Sequence, residues 1–346
     1  MKLNLNQIAS LLFILLATIA FLVVAKNILI PFILALVIWF IIKEVREVFD
    51  YVDWIKTNVP NWLKSTISSI IVFVVLGIVV SLLTNNVNEL QKSLPVYENN
   101  VSHATELINS TFNINLKNIF SDYLVDFDFS SIAKQIINSI TSILGSLFMV
   151  LIYVLFLFLE ESVSSDKLRY IYSTPEKYKQ AKELLQDIDK SIGRYIGLKT
   201  LVSIITGVAS YIVFAVIGID SPFFWAFLIY LLNFIPVIGS LIGVLFPTTI
   251  ALLQFGELTP AILVLVLAGS IQIIVGNVLE PKIMGNSLNV SSLVIILSLA
   301  IWGSIWGIFG MVISVPTTVI LIIIFSRIES TKNIAILLSE KGEINN

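Results

Sequence analysis

The chain has no cysteine and one histidine in 346 residues. Disulfides, thiolate metal sites and cysteine nucleophiles are therefore excluded, as is a multi-histidine metal centre. Charge is also scarce: Asp, Glu, Lys and Arg make up 13%, against about 25% in soluble domains. The 21 Lys and Arg nearly balance 23 Asp and Glu, for a net charge of -2, so there is no basic field for nucleic acid. No phosphate loop ending in Gly-Lys-Ser/Thr is present, so the chain carries no ATPase signature. With no nucleophile–histidine pair or metal-ligand cluster, the pattern argues against an enzyme and calls for no cofactor and no metal.

What is present is apolar surface. Hydrophobic residues make up 57% and mean hydropathy is +0.96, too little polar surface to keep a globule of this length dissolved. The composition predicts an all-α, polytopic membrane protein, because a helix of about 20 apolar residues crosses the ~30 Å hydrocarbon core. Stretches without Asp, Glu, Lys or Arg are Leu3–Ala25, Asn27–Ile42 with Pro31 near its start, Ser65–Asn88 and Gln135–Leu159. Between Thr200 and Leu279 only Asp220 and Glu257 are charged, and Ile283–Ser326 has no charge. That last stretch is too long for one crossing and reads as a broken helix followed by a full one. The first run is long and no small-x-small site follows it, so it reads as a retained helix rather than a signal peptide.

Lys43–Lys64 and Glu160–Arg194 carry four and seven Lys and Arg, whereas Thr84–Lys134 carries three against six Asp and Glu. The positive-inside rule places the first two, and the tail with Arg327, Lys332 and Lys341, in the cytoplasm and the third outside. Trp39 and Trp62 bracket the first cytoplasmic loop as an interfacial belt would. The chain divides into N-terminal membrane helices (1–83), an extramembrane helical region (84–134), a membrane helix (135–159), a cytoplasmic amphipathic segment (160–195), a second membrane block (196–326) and a cytoplasmic tail (327–346).

Two apolar stripes have helical spacing. One is Val87, Leu90, Leu94, Tyr97, Val101, Ala104 and Ile108, interrupted by Pro95, which predicts a kink or two abutting helices. The other is Tyr178, Ala181, Leu185, Ile188, Ile192 and Tyr195, on a helix that starts at Thr174-Pro175. Each stripe joins subunits, pairs helices within the chain or lies on the bilayer. His103, beside the first stripe, is a solvated residue or a pH sensor.

Helix breaks in lipid occur where they line a cavity or lie buried in protein. Two segments carry Asn, Pro and Gly in that order: Asn233, Pro236 and Gly239, and Asn277, Pro281 and Gly285. Pro disfavours helical geometry in the preceding residue, so both read as breaks. Glu280 and Lys282 are the only charges between Leu258 and Ser326. An unpaired Glu at membrane depth costs roughly 2.5–3.5 kcal/mol, so Glu280 requires a partner, a cavity or a proton. It is a substrate- or ion-binding carboxylate, or part of an interfacial turn. In the first case burial raises its pKa and Lys282 lowers it. Asp220 reads as a loop and helix-capping residue. Asn233, Ser240, Ser270, Gln272 and Asn277 suit a neutral polar ligand or hydrogen bonds between helices. Gly239/Gly243 and Gly303/Gly307 have the spacing of close helix packing or of hinges.

At these motifs the sequence resembles the autoinducer-2 exporter family of bacterial transporters, leaning to its autoinducer-2-exporting branch. The residues that carry the resemblance are Arg194-Tyr195-Ile196 with Lys199-Thr200, Leu232–Pro236 with Ile238-Gly239-Ser240, and Gly276–Gly285. They continue with Leu297-Ser298-Leu299, Trp302-Gly303, Gly307, Gly310-Met311 and Val315-Pro316. The resemblance implies a multi-pass inner-membrane protein of about eight spans with re-entrant or broken segments, assembled as a homo-oligomer, by family analogy a pentamer. Some relatives resemble sodium or lithium/proton antiporters.

The resulting expectation is a secondary transporter that exports autoinducer-2 or a similar small polar signal. Asn233, Gly239, Asn277 and Glu280 line a site where the two breaks meet at mid-bilayer. Pro236, Pro281, Gly285, Gly303 and Gly307 serve as breaks or hinges. The partners are a small-molecule substrate, membrane lipid and a coupling cation, H+ or Na+. The alternatives are a sodium (lithium)/proton antiporter with Glu280 as its carboxylate, and a non-transporting scaffold or sensor that uses Thr84–Lys134.

Overall fold

The computed structural model describes residues 5–112, 145, 147–172, 174–284, 289–340 and 342. Gly285, residues 113–134 of the extramembrane region and most of 135–146 lie outside the described residues. So do the side chains of Leu94, Val101, His103, Ala104 and Ile108. Among the described residues the protein is helical and has no strand. Among these residues six helices are long and apolar enough to cross a membrane, and three shorter apolar helices lie at Leu12–Val24, Pro222–Leu232 and Ser292–Trp306. The chain folds as two compact units, one of residues 1–65, 146–197 and 286–346, the other of residues 66–145 and 198–285.

The first unit holds α1 (Leu5–Val24), α2 (Lys26–Phe49), α3 (Asp53–Asn58), the start of α4 (Asn61–Phe112), α5 (Leu147–Ile171) and the first half of α6 (Pro175–Ile217). Thr174 and Pro175 begin α6 as their sequence predicts, with the Tyr178 N–H donating to the Thr174 carbonyl at 3.0 Å. α2 packs on α6 at a glycine pair: a Cβ on Gly193 would lie 3.1 Å from Glu44 Oε1, and one on Gly197 would lie 3.0 Å from Glu44 Cδ.

Ion pairs in this unit join segments expected on one side of the membrane. Lys43 Nζ lies 2.6 Å from Asp189 and 4.4 Å from the centroid of Trp39. Arg46 reaches Glu161 at 3.5 Å, and Arg327 pairs with Asp187. Lys64 donates to Asp50 at 2.6 Å and holds that carboxyl below its ordinary pKa.

The same unit ends with α11 (Ser292–Trp306), α12 (Ile308–Arg327) and α13 (Lys332–Leu338). The uncharged stretch 283–326 thus contains a short helix and a full one, as its length demands. Gly307 turns the chain between them with φ 61° and ψ −136°, a conformation that glycine tolerates. A Cβ on Gly310 would lie 1.8 Å from the Trp302 carbonyl oxygen, and one on Gly303 would lie 3.0 Å from the Met311 side chain. Gly303 thus packs closely on Met311, and Gly307 stands at the turn between the helices.

The second unit holds the rest of α4 and α6, then α7 (Pro222–Leu232), α8 (Ile238–Phe255), α9 (Leu258–Ile274), a π-helical turn (Val275–Leu279) and α10 (Glu280–Met284). Its core includes Leu83, Val87, Leu90 and Tyr97 of α4 with Phe214, Trp225, Ile229 and Ile250. The described members of the first stripe thus pack within the chain. α4 runs through Pro95 as one helix rather than two abutting ones. Proline removes a backbone hydrogen bond there, but contacts on the far side hold the helix in place. Tyr97 donates to Asp220 Oδ2 at 2.6 Å, and Asn100 Nδ2 donates to the Leu253 carbonyl at 2.7 Å.

Candidate functional site

α7 and α8 form a hairpin closed at its base by one side chain. Gln254 Nε2 donates to the Gly218 carbonyl at 2.8 Å, and the Asp220 N–H donates to Gln254 Oε1 at 2.8 Å. Asp220 is therefore a tether for Tyr97 and Gln254. The N-cap of α7 is Ser221, held with φ 52° and donating to the Asn86 carbonyl at 3.0 Å. The 11 residues of α7 rise about 16 Å, roughly half the ~30 Å hydrocarbon thickness. Its partner α8, with 18 residues, is long and apolar enough to cross, and residues 233–237 form the tip between the two helices.

The tip is the break predicted from Asn233, Pro236 and Gly239. The Ile238 N–H donates to the Pro236 carbonyl at 2.6 Å across Val237, whose φ is 62° and ψ −60°. This is the rare, strained form of γ-turn, unusual for a β-branched residue. Gly239 returns beneath α7, where a Cβ would lie 1.8 Å from the Leu232 carbonyl oxygen. Only glycine fits such an approach, so Gly239 lets the tip close.

The second predicted break takes a different form. α9 continues through the π turn into α10, with the Glu280 N–H donating to the Val275 carbonyl. Pro281 has no N–H and its ring would press on the carbonyl four residues back. The wider π turn, of a kind frequent at functional sites, relieves that conflict while the helix continues. Asn277 is exposed within it, and among the described residues it makes no hydrogen bond in the arrangement below.

α6 gathers the remaining groups. Lys199, Ser203, Thr206 and Ser210 follow at spacings of four, three and four, all buried. Positions three and four apart share a helix face. Asn233 Nδ2 donates to Ser203 Oγ at 3.0 Å, and one turn away Lys199 Nζ pairs with Glu280 Oε1. Thr206 donates to the Val202 carbonyl at 2.8 Å, whereas Ser210 Oγ and Thr200 Oγ1 are buried without a hydrogen-bond partner among the described residues. Gly207, on the same face, lies against Ala226 and Tyr230 of α7.

Two of the four site residues read from the sequence, Asn233 and Glu280, thus meet on adjacent turns of α6. The partner of Glu280 is Lys199, not Lys282, because residues two apart on a helix do not face one another. Lys199 lies about 27 Å along α6 from Ile217, and Glu280 about 33 Å from Leu258, at 1.5 Å per residue. Both stand far along their helices from the hairpin base. Lys199, Ser203, Thr206 and Ser210 were not among the sequence candidates, although their heptad-like spacing in an apolar run is a readable signal.

Comparison with known proteins agrees with this architecture. Residues 12–330 match the family model described as AI-2E family transporter. The chain is 31% identical over 320 residues to the "AI-2 transport protein TqsA" of Escherichia coli, covering 91% of this chain and 90% of that protein. Two proteins each named "Putative transport protein" are also similar. The one from Borreliella burgdorferi is 33% identical, covering 75% of this chain and 72% of its own. The one from Haemophilus influenzae is 28% identical, covering 91% of each. With its apolar helices long enough to span and a match over nearly its whole length, the chain belongs to the AI-2E family of transporters and is a multi-pass membrane protein.

Proposed function

We propose that this transporter exports autoinducer-2, or a similar small polar signalling metabolite, across a bacterial inner membrane. The observation that carries the reading is the neutral amide–hydroxyl pair of Asn233 and Ser203 at the tip of the α7–α8 hairpin. It stands in a chain 31% identical over nine-tenths of its length to a protein named for AI-2 transport. A ligand with several hydroxyls exchanges hydrogen bonds with such groups without burying a charge. Gly239 and Pro236 shape the tip, and Asn277, exposed in the π turn, is a further contact for the ligand. The shared ion pairs of Lys43, Arg46, Glu161, Asp187, Asp189 and Arg327 support one common, cytoplasmic side for those segments. Assembly as a homo-oligomer, a pentamer by family analogy, belongs to the same reading.

A second reading, sodium (lithium)/proton antiport, draws on the Lys199–Glu280 pair, which a cation would compete for. Reconstitution separates the two. Purified protein in liposomes moves labelled autoinducer-2 in the first case. In the second, sodium or lithium dissipates a pH gradient. A scaffold would do neither.

A further inference from the structure

We infer that Lys199 is an internal competitor of the transported solute, moving between Glu280 and Asn233 as Glu280 loses and gains the coupling proton. The inference rests on the export reading and names its coupling ion and the switch behind it.

The geometry is specific. Lys199 is 4% exposed, and its ammonium is held by Glu280, whose carboxylate is a quarter exposed. The groups to consider around Glu280 are Lys199 from α6 and, on its own helix, Lys282, which projects elsewhere. Among the described residues Lys199 has one ion-pair partner, Glu280. Among the described residues no group of three or more His, Asp or Glu could hold a metal ion. Hard cations are bound through several oxygens, whereas Glu280 offers one carboxylate beside an ammonium. A proton needs only that carboxylate.

Protonating Glu280 would strand a buried ammonium, which is strongly unfavourable unless a new partner takes it. Such a partner stands one turn away. The Asn233 amide donates to Ser203, four residues from Lys199 on the same face of α6, and its oxygen is an acceptor to which the ammonium would turn. With Glu280 charged, Lys199 is held and the Asn233 oxygen serves the solute. With Glu280 protonated, the Lys199 ammonium turns to Asn233 and displaces the solute. One proton is taken up and one released per cycle, and Lys199 keeps its own throughout. Proton and solute exclude one another, as proton-driven export requires.

The test is an infrared pH titration of the full protein in liposomes, following the carboxylic-acid band that Glu280→Gln removes. The expected result is that Asn233→Ala moves the band's appearance to lower pH, because Lys199 has lost its second partner, and that Asn233→Asp moves it to higher pH. Autoinducer-2 should also move it to lower pH in the wild type. In efflux assays an inward proton gradient should accelerate wild-type export several-fold, and the ratio with and without the gradient should fall to one in Glu280→Gln. Titration of both Asn233 variants at the wild-type pH, or a titrating band that survives Glu280→Gln, would overturn the inference. If the Asn233 variants shift as expected but autoinducer-2 neither moves nor alters the band, the switch stands and the substrate reading fails.

Discussion

Asn233 meets Ser203 at 3.0 Å one helical turn from Lys199, so the hairpin tip and the ion pair share one face of α6. Removing the amide should therefore affect both stability and transport. Ser203→Ala and Asn233→Ala should each cost about 0.5–1.5 kcal/mol, and in a double-mutant cycle the two losses should not add. Thermal unfolding in detergent measures this. Fully additive losses would mean that the pair is not coupled.

Gly239 and Gly310 each lie beneath a backbone carbonyl at 1.8 Å from a hypothetical Cβ. No side-chain adjustment relieves a backbone clash. Gly239→Ala and Gly310→Ala should each lose about 1–3 kcal/mol or more. Gly276, with nothing within 4 Å, is the control, and Gly276→Ala should change stability by no more than about 1 kcal/mol. Equal melting temperatures for Gly239→Ala and Gly276→Ala would contradict the closed tip.

Tyr97 is 1% exposed and donates to Asp220 at the hairpin base. Tyr97→Phe keeps the packing and removes a hydrogen bond to a charged group, worth about 1.5–3 kcal/mol. Faster amide exchange at residues 218–222 should accompany the loss. Unaltered exchange there would separate Tyr97 from the base of the hairpin.

Pro281 gives the π turn its reason. Pro281→Ala restores the N–H and lets α9 continue as an ordinary α-helix, which rotates Glu280 away from Lys199. The protein should fold with normal yield while transport falls at least several-fold. Wild-type transport in that variant would show that the π turn does not position Glu280.

These groups were not equally legible in the sequence. Asn233-x-x-Pro236-x-x-Gly239 marks the tip because each residue type has a local consequence: an amide in an apolar run, a lost N–H and a missing Cβ. Pro281 was ambiguous, since an unwound break and a π turn answer the same steric conflict. The partner of Glu280 was not legible, because Lys199 lies 81 residues away and only the packing of α6 against α10 brings it near, while Lys282 was an adjacent decoy. Pro95 shows the reverse case, in which tertiary contacts of Tyr97 and Asn100 override a strong local helix breaker.

The central claim is that the tip of the α7–α8 hairpin handles a small polar solute. Its most direct measurement is efflux of labelled autoinducer-2 from liposomes that hold equal amounts of folded wild-type or Asn233→Ala protein. The predicted result is clear efflux by the wild type and a rate at least several-fold lower in the variant. Equal rates for the two proteins, or no efflux by the wild type while sodium or lithium collapses a pH gradient, would contradict it.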